Sequence, residues 1–329
     1  MSEQERTLDT DRCVRCGKCR DACLFLTKYN LVIGDKERLR PLAYHCFLCG
    51  RCTRVCPVHI DGRQVIMNLR EETAAQEEKR VVKEHRMLVW EKNHYKYRNY
   101  KHAAPKDGSA RSVYFPGCNF PSLFPKTNAY LSELLYKEAG IGTAYDCCGK
   151  PIAELGLEKD ARRITKEITQ NLQKAGVDEI VTACPNCFYH LTPRCSLKVT
   201  SIYDKLKELG IGGRISRDLH FFVPCPDRES RAWVRSIQAF TDGEITIEEE
   251  PQCCGLGGSG GACEPELAEQ MASSFTGREG GIDTCCASCT GRFTRSGAEM
   301  HHILPEILGI SEQPDVAHSY LNRVKTKWK

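Results

Sequence analysis

Cys147-Cys148-Gly149 recurs as Cys253-Cys254-Gly255, and the recurrence extends outward on both sides. A lone cysteine precedes each doublet (Cys118; Cys225), and a C-x-x-C follows it (Cys184 with Cys187; Cys286 with Cys289). The chain must therefore fold one arrangement twice, and each copy must gather five sulfurs. Four thiolates close a tetrahedral zinc site or a cubane iron–sulfur cluster. A fifth, from adjacent residues that do not easily take two corners of one tetrahedron, points to an unusual metal–sulfur centre, present in duplicate.

The segments around these cysteines are predicted to alternate strand and helix. Val113–Phe115 reads as a strand ending at Cys118, Thr143–Tyr145 as one ending at the first doublet, and Glu179–Ala183 as one ending at Cys184. Between them, Thr127–Glu138 and Ala161–Ala175 have helical apolar spacing, the latter with Ile164, Ile168 and Leu172 at i, i+4 and i+8. The second copy repeats the script with strands His220–Val223, Glu244–Ile247 and Ile282–Thr284 and helices Glu229–Phe240 and Pro265–Phe275. Every cysteine group then follows a strand's carboxyl end, the edge where α/β sheets bind ligands. An internal pseudo-two-fold with two centres facing a shared cleft is expected.

A different pattern occupies the amino-terminal part. Cys13, Cys16, Cys19 and Cys23 read C-x2-C-x2-C-x3-C, and Cys46, Cys49, Cys52 and Cys56 repeat the run, followed by Pro57. This is ferredoxin spacing for two cubane 4Fe–4S clusters, with the fourth cysteine of each run crossing to the other cluster. One cluster is expected on Cys13, Cys16, Cys19 and Cys56, the other on Cys46, Cys49, Cys52 and Cys23. Gly17 and Gly50 are read as room for backbone beside a cluster. Leu24–Tyr29 and Glu37–Tyr44, between the runs, look helical, so the module resembles the helical ferredoxin domain of succinate dehydrogenase iron–sulfur subunits.

With 21 cysteines in 329 residues, tight C-x-x-C spacing and no apolar core in Met1–Thr7, the chain reads as a metal protein of a reducing compartment, cytoplasmic and anaerobic. No stretch approaches the roughly 20 apolar residues of a membrane span. The net charge of +4 is too small to indicate nucleic acid. Basic and aromatic residues interleave over 85–102, which is read as a linker arm, and Ala104–Ser109 as a boundary. The expected division is 1–61 (ferredoxin-like), 62–108 (helical arm), 109–216 and 217–311 (the two copies) and 312–329 (basic tail). Gly255–Gly261 lacks a phosphate-loop ending; its glycines are expected to let backbone wrap a cluster or a substrate.

The cysteine order resembles the "CCG" domain found twice in the heterodisulfide reductase B subunit, and the amino-terminal module resembles the C subunit. The fused layout is similar to the heterodisulfide reductase D-type subunit, to the anaerobic glycerol-3-phosphate dehydrogenase C subunit and to the K subunit of the sulfite-reduction-associated membrane complex. The resemblance implies an α+β fold, a helical 2×(4Fe–4S) ferredoxin domain followed by two α/β CCG domains. It implies a noncubane 4Fe–4S cluster on Cys118, Cys147, Cys148, Cys184 and Cys187 and another on Cys225, Cys253, Cys254, Cys286 and Cys289, with zinc in one CCG site as an alternative. A disulfide would be reduced to two thiols between them, electrons arriving from a flavoprotein or membrane cytochrome b type partner that also holds the chain at the membrane's inner face. The alternative function is a non-catalytic relay between a flavoprotein dehydrogenase and a quinone or other acceptor. Val223-Pro224-Cys225-Pro226 departs from the family's D-P-C-H, and the extra Cys285 leaves Cys285 and Cys286 as rival ligands, with spacing in favour of Cys286.

Overall fold

The computed structural model describes residues 6–94, 98–104 and 111–329. The chain packs as two units. One comprises Met1–Val89, Pro151–Glu158 and Glu249–Ser274; the other comprises Trp90–Lys150, Lys159–Glu248 and Phe275–Lys329. Packing thus cuts across the sequence repeat, because the segment following each doublet, or containing it, is grouped with the ferredoxin module.

The first unit is helical. Short helices Lys18–Asp21, Leu24–Lys28, Lys36–Leu39 and Arg51–Arg54 and a 3-10 helix Arg40–His45 precede the long helix Gly62–Glu84. Asp61 starts that helix by accepting the Gln64 N–H at 3.0 Å. Its inward side chains Val65, Ile66 and Leu69 close a core with Phe25, Leu26, Leu31, Ile33 and Leu39. Beside Leu69, Arg70 is wholly buried. Its five N–H groups donate to the carbonyls of Ala43 (twice), Cys46, Glu154 and Gly258. One guanidinium therefore ties together the ferredoxin segment, the segment after the first doublet and the glycine-rich loop after the second.

The second unit holds two sheets. The first has strands β1 (Asn99–His102), β2 (Ser112–Phe115), β3 (Gly142–Tyr145), β4 (Glu179–Thr182) and β5 (Lys198–Ser201) in the order β1-β3-β2-β4-β5. The second has β6 (Leu219–Phe222), β7 (Ile245–Glu248), β8 (Ile282–Thr284) and β9 (Met300–His302) in the order β7-β6-β8-β9. Removing β1, which runs antiparallel to β3, leaves two parallel sheets of identical order. The duplication in cysteines is therefore a duplication in topology. Crossover helices cover the sheets through the predicted periodicity: Glu158–Lys174 buries Ala161, Ile164, Ile168 and Leu172. Residues of both copies share one core, in which Tyr114, Phe124 and Leu131 are joined by Phe221, Trp233 and Ile303. The fold is α+β, with a helical ferredoxin domain and two α/β cysteine-rich domains.

Two expectations need correction. The arm is not merely a linker, since Asn99–His102 adds an edge strand; its residues 95–97, and 105–109 of the expected boundary, lie outside the described residues. The basic tail contains a helix, Ser319–Lys325, that buries Asn322. Gly17 and Gly50 serve backbone conformation rather than space, standing at φ 79° and 73° before short helices. The glycines that make room for cysteines are others. A Cβ on Gly34 would sit 2.5 Å from Cys13 Cβ, and one on Gly62 2.7 Å from Cys52 Sγ.

Candidate metal centres

In the ferredoxin segment, cysteines of the two runs lie close to one another. Burial, then Cys46, Cys23, Cys49 and Cys19, push the Cys52 thiol well up. Burial likewise raises Cys19, whose further thiol neighbours are Cys13 and Cys56. Cys23 and Cys46 are pushed up to about 11, in both cases chiefly by burial. Thiols packed this way resist ionisation unless a positive partner compensates them. Iron in a cluster is such a partner, so the donor set fits two 4Fe–4S clusters. Among these cysteines Cys16 is exposed.

The glycine-rich loop is grouped with this module. A Cβ on Gly257 would lie 2.4 Å from the Phe47 carbonyl oxygen, and one on Gly258 2.9 Å from that of Cys46. The glycines allow this loop to lie on the Cys46–Phe47 backbone. They were expected to wrap a cluster or a substrate; their direct partner is the ferredoxin backbone itself.

All five cysteines of the first set lie in the second unit, after β2, β3 and β4, with Cys187 inside the helix Pro185–Leu191. They form a chain of neighbours. Cys118 interacts with Cys147, Cys147 with Cys148, Cys148 with Cys187, and Cys187 with Cys184. Hydrogen bonds from Cys147 and Cys187 hold Cys148 down at about 5, while Cys118 and Cys187 are raised. Five thiols that neighbour one another in this way are a donor set suited to a metal–sulfur centre. Among the described residues no three donors stand in the arrangement of a single-ion site, so these are neighbours and not a closed shell. Gly117 keeps the site compact, since its Cβ would lie 3.1 Å from Cys187 Sγ.

The second set is divided by packing. Cys225, Cys286 and Cys289 follow β6 and β8 in the second unit, whereas Cys253 and Cys254 are grouped with the ferredoxin module. Cys286 occupies the cap position of helix Ala287–Arg295 with φ −119°, as Cys184 does before Pro185–Leu191 with φ −120°. The hydrogen bond from Cys289 brings Cys286 down to about 7 against its burial. Cys285 instead lies in the apolar core, and burial pushes its thiol well up.

Within the second unit the two copies meet at their cysteine loops. Asn119 Nδ2 donates to Ser288 Oγ at 2.6 Å, and Asn186 Nδ2 lies 3.7 Å from Cys286 Sγ. Residues outside the cysteine pattern surround Cys118. Lys92, buried, places Nζ 4.0 Å from its Sγ and 3.3 Å from Glu91. Arg323, from the tail helix, pairs with Glu91 at 2.9 Å and donates to Asn119 Oδ1 at 2.6 Å. Lys92 and Arg323 lie far apart in sequence, in segments read as arm and tail. The sole hint of either was its basic character.

Residues 9–60 match the 4Fe-4S dicluster domain family and residues 112–192 the Cysteine-rich domain (CCG) family. The chain is 24% identical to the D subunit of dihydromethanophenazine:CoB–CoM heterodisulfide reductase from Methanosarcina barkeri, across 81% of this chain and 83% of that one. An uncharacterized iron–sulfur protein of Methanococcus maripaludis is 26% identical over 72% of this chain and 53% of its own length. The B subunit of the fumarate reductase (CoM/CoB) from Methanothermobacter marburgensis is 23% identical over 69% and 51%. The chain spans about half the length of these last two relatives. It is an iron–sulfur protein that resembles the heterodisulfide reductase D-type subunit over most of its length. No described helix is long and apolar enough to cross a membrane.

Proposed function

We propose that the chain is the catalytic iron–sulfur subunit of a heterodisulfide reductase-like complex. Its two ferredoxin sets, Cys13/Cys16/Cys19/Cys56 and Cys46/Cys49/Cys52/Cys23, hold cubane clusters that deliver electrons. Its two five-cysteine sets hold noncubane 4Fe–4S clusters, with Cys286 rather than Cys285 completing the second. The observation that carries this reading is the contact of Asn186, inside the first C-x-x-C, with Cys286 of the second. A disulfide needs two electrons and two protons to give two thiols, and paired clusters supply one electron and one sulfur-binding iron each. Asn119, Asn186 and Ser288 hold the two loops in register, and Lys92 and Arg323 give the Cys118 side a positive field suited to developing thiolate charge. Docking to a flavoprotein or cytochrome partner would complete the complex at a membrane.

A relay function without disulfide chemistry is the second reading, favoured by the similarity to the B subunit of a fumarate reductase. Iron, sulfide and zinc per chain, on protein purified without oxygen, separate the cofactor alternatives. About sixteen irons without zinc agree with four 4Fe–4S clusters, and about eight with zinc would exclude paired noncubane centres. Cys254→Ala then tests catalysis: disulfide turnover should vanish while both cubane signals remain, and persistent turnover would leave the relay.

A further inference from the structure

Gln252, the residue before the second doublet, is almost fully buried and reaches the ferredoxin cysteines. Its Oε1 accepts the Leu24 backbone N–H at 2.8 Å. That bond decides which end of the carboxamide is oxygen, because the amide nitrogen cannot accept. Nε2 therefore faces sulfur, 3.7 Å from Cys23 Sγ and 3.6 Å from Cys49 Sγ. Cys23 belongs to the first run and Cys49 to the second, so a single amide donates to thiols that the cubane assignment joins in one cluster. The next residue along the chain is Cys253.

We propose that Gln252 is a positioning residue for electron transfer, whose amide raises the reduction potential of the cubane on Cys46, Cys49, Cys52 and Cys23 and marks that cubane as the last before the Cys253–Cys254 doublet. The inference rests on the cubane part of the reading above. An N–H donated to a thiolate sulfur stabilises the cluster more once it has gained an electron, because the sulfurs then carry more negative charge. Raising the potential of the final cubane draws electrons from the cubane that includes the exposed Cys16 toward the doublet.

The test is an anaerobic redox titration of the full, iron-loaded chain followed by electron paramagnetic resonance. Gln252→Glu keeps an oxygen for the Leu24 N–H and removes the donor; Gln252→Leu removes both. Cys49→Ser and Cys16→Ser identify which couple belongs to which cubane. In both Gln252 variants the Cys49 couple should fall, its reduced-to-oxidised ratio dropping about tenfold at the wild-type midpoint, or about 59 mV for one electron. The Cys16 couple should stay. Unchanged couples, an equal shift of both, or loss of cubane iron from both variants would overturn the proposal. Cubane couples that respond this way in a chain without noncubane iron would leave it standing while the disulfide reading fails.

Discussion

Asn186 Nδ2 stands 3.7 Å from Cys286 Sγ, so a residue of the first copy touches a cysteine of the second. Replacing Asn186 by Leu removes a hydrogen bond to a sulfur that is charged when metal-bound, worth about 1.5–3 kcal/mol. Disulfide turnover should fall by about tenfold or more, with the cubane signals unchanged. Steady-state rates with a disulfide substrate, read beside the cubane spectra, check it.

Gly34 packs against Cys13 so closely that any Cβ would overlap its side chain. Gly34→Ala must displace Cys13, at a cost of about 1–3 kcal/mol for overpacking. The expected result is selective loss of the cubane that uses Cys13, seen as one missing cubane signal and about four fewer irons per chain. Retention of both signals at full intensity would count against the ligand role of Cys13.

Arg70 uses all its donors on backbone carbonyls of three chain segments. Arg70→Leu removes these five bonds, the Ala43 carbonyl alone keeping the Cys46 N–H at 3.4 Å among the bonds described, and should destabilise the protein by about 3–5 kcal/mol. Arg70→Lys, with three donors and no planar fork, should recover only part of the loss. Thermal unfolding of the two variants beside wild type measures both effects.

His302 is buried between Phe120 and Phe124, with ring centroids 5.2 and 5.0 Å away, and its Nδ1 accepts the Leu304 N–H. Burial lowers its pKa from 6.5 to about 3. The unfolded chain takes up a proton near 6.5 that the folded chain refuses. The stabilising effect of the neutral ring is therefore complete above pH 6.5 and declines as pH falls toward 3, by about 1.4 kcal/mol per pH unit. Denaturant unfolding of wild type between pH 7 and 5 should show this slope, and His302→Phe should reduce it by that amount.

Much of the fold was readable because two signals were local. Strand runs such as Glu179–Thr182 and helical stripes such as Ile164, Ile168 and Leu172 are decided within a few residues, and their ends were placed to within a few positions. Strand β5 was missed because Lys198–Ser201 has a polar sequence and is a strand only through its pairing with β4. Strand β9 was missed similarly: Met300–His302 is short and carries two histidines, and β8 supplies its hydrogen bonds. Cys285 and Cys286 are adjacent, and sequence could rank them by spacing alone; the cap position of Cys286 and the apolar surroundings of Cys285 distinguish them.

The sequence by itself determined the chemistry available to this protein: eighteen cysteines in two kinds of pattern, each kind repeated. Sulfur spacing is a covalent property, and it limits which metal centres a backbone can close. Tertiary structure decided the surroundings of those sulfurs. It placed Gln252 on Cys23 and Cys49, Lys92 beside Cys118, and Asn186 on Cys286, pairs separated by 26 to 229 positions. No local pattern encodes such pairs, because they arise only when the long helix and the two sheets bury their apolar faces.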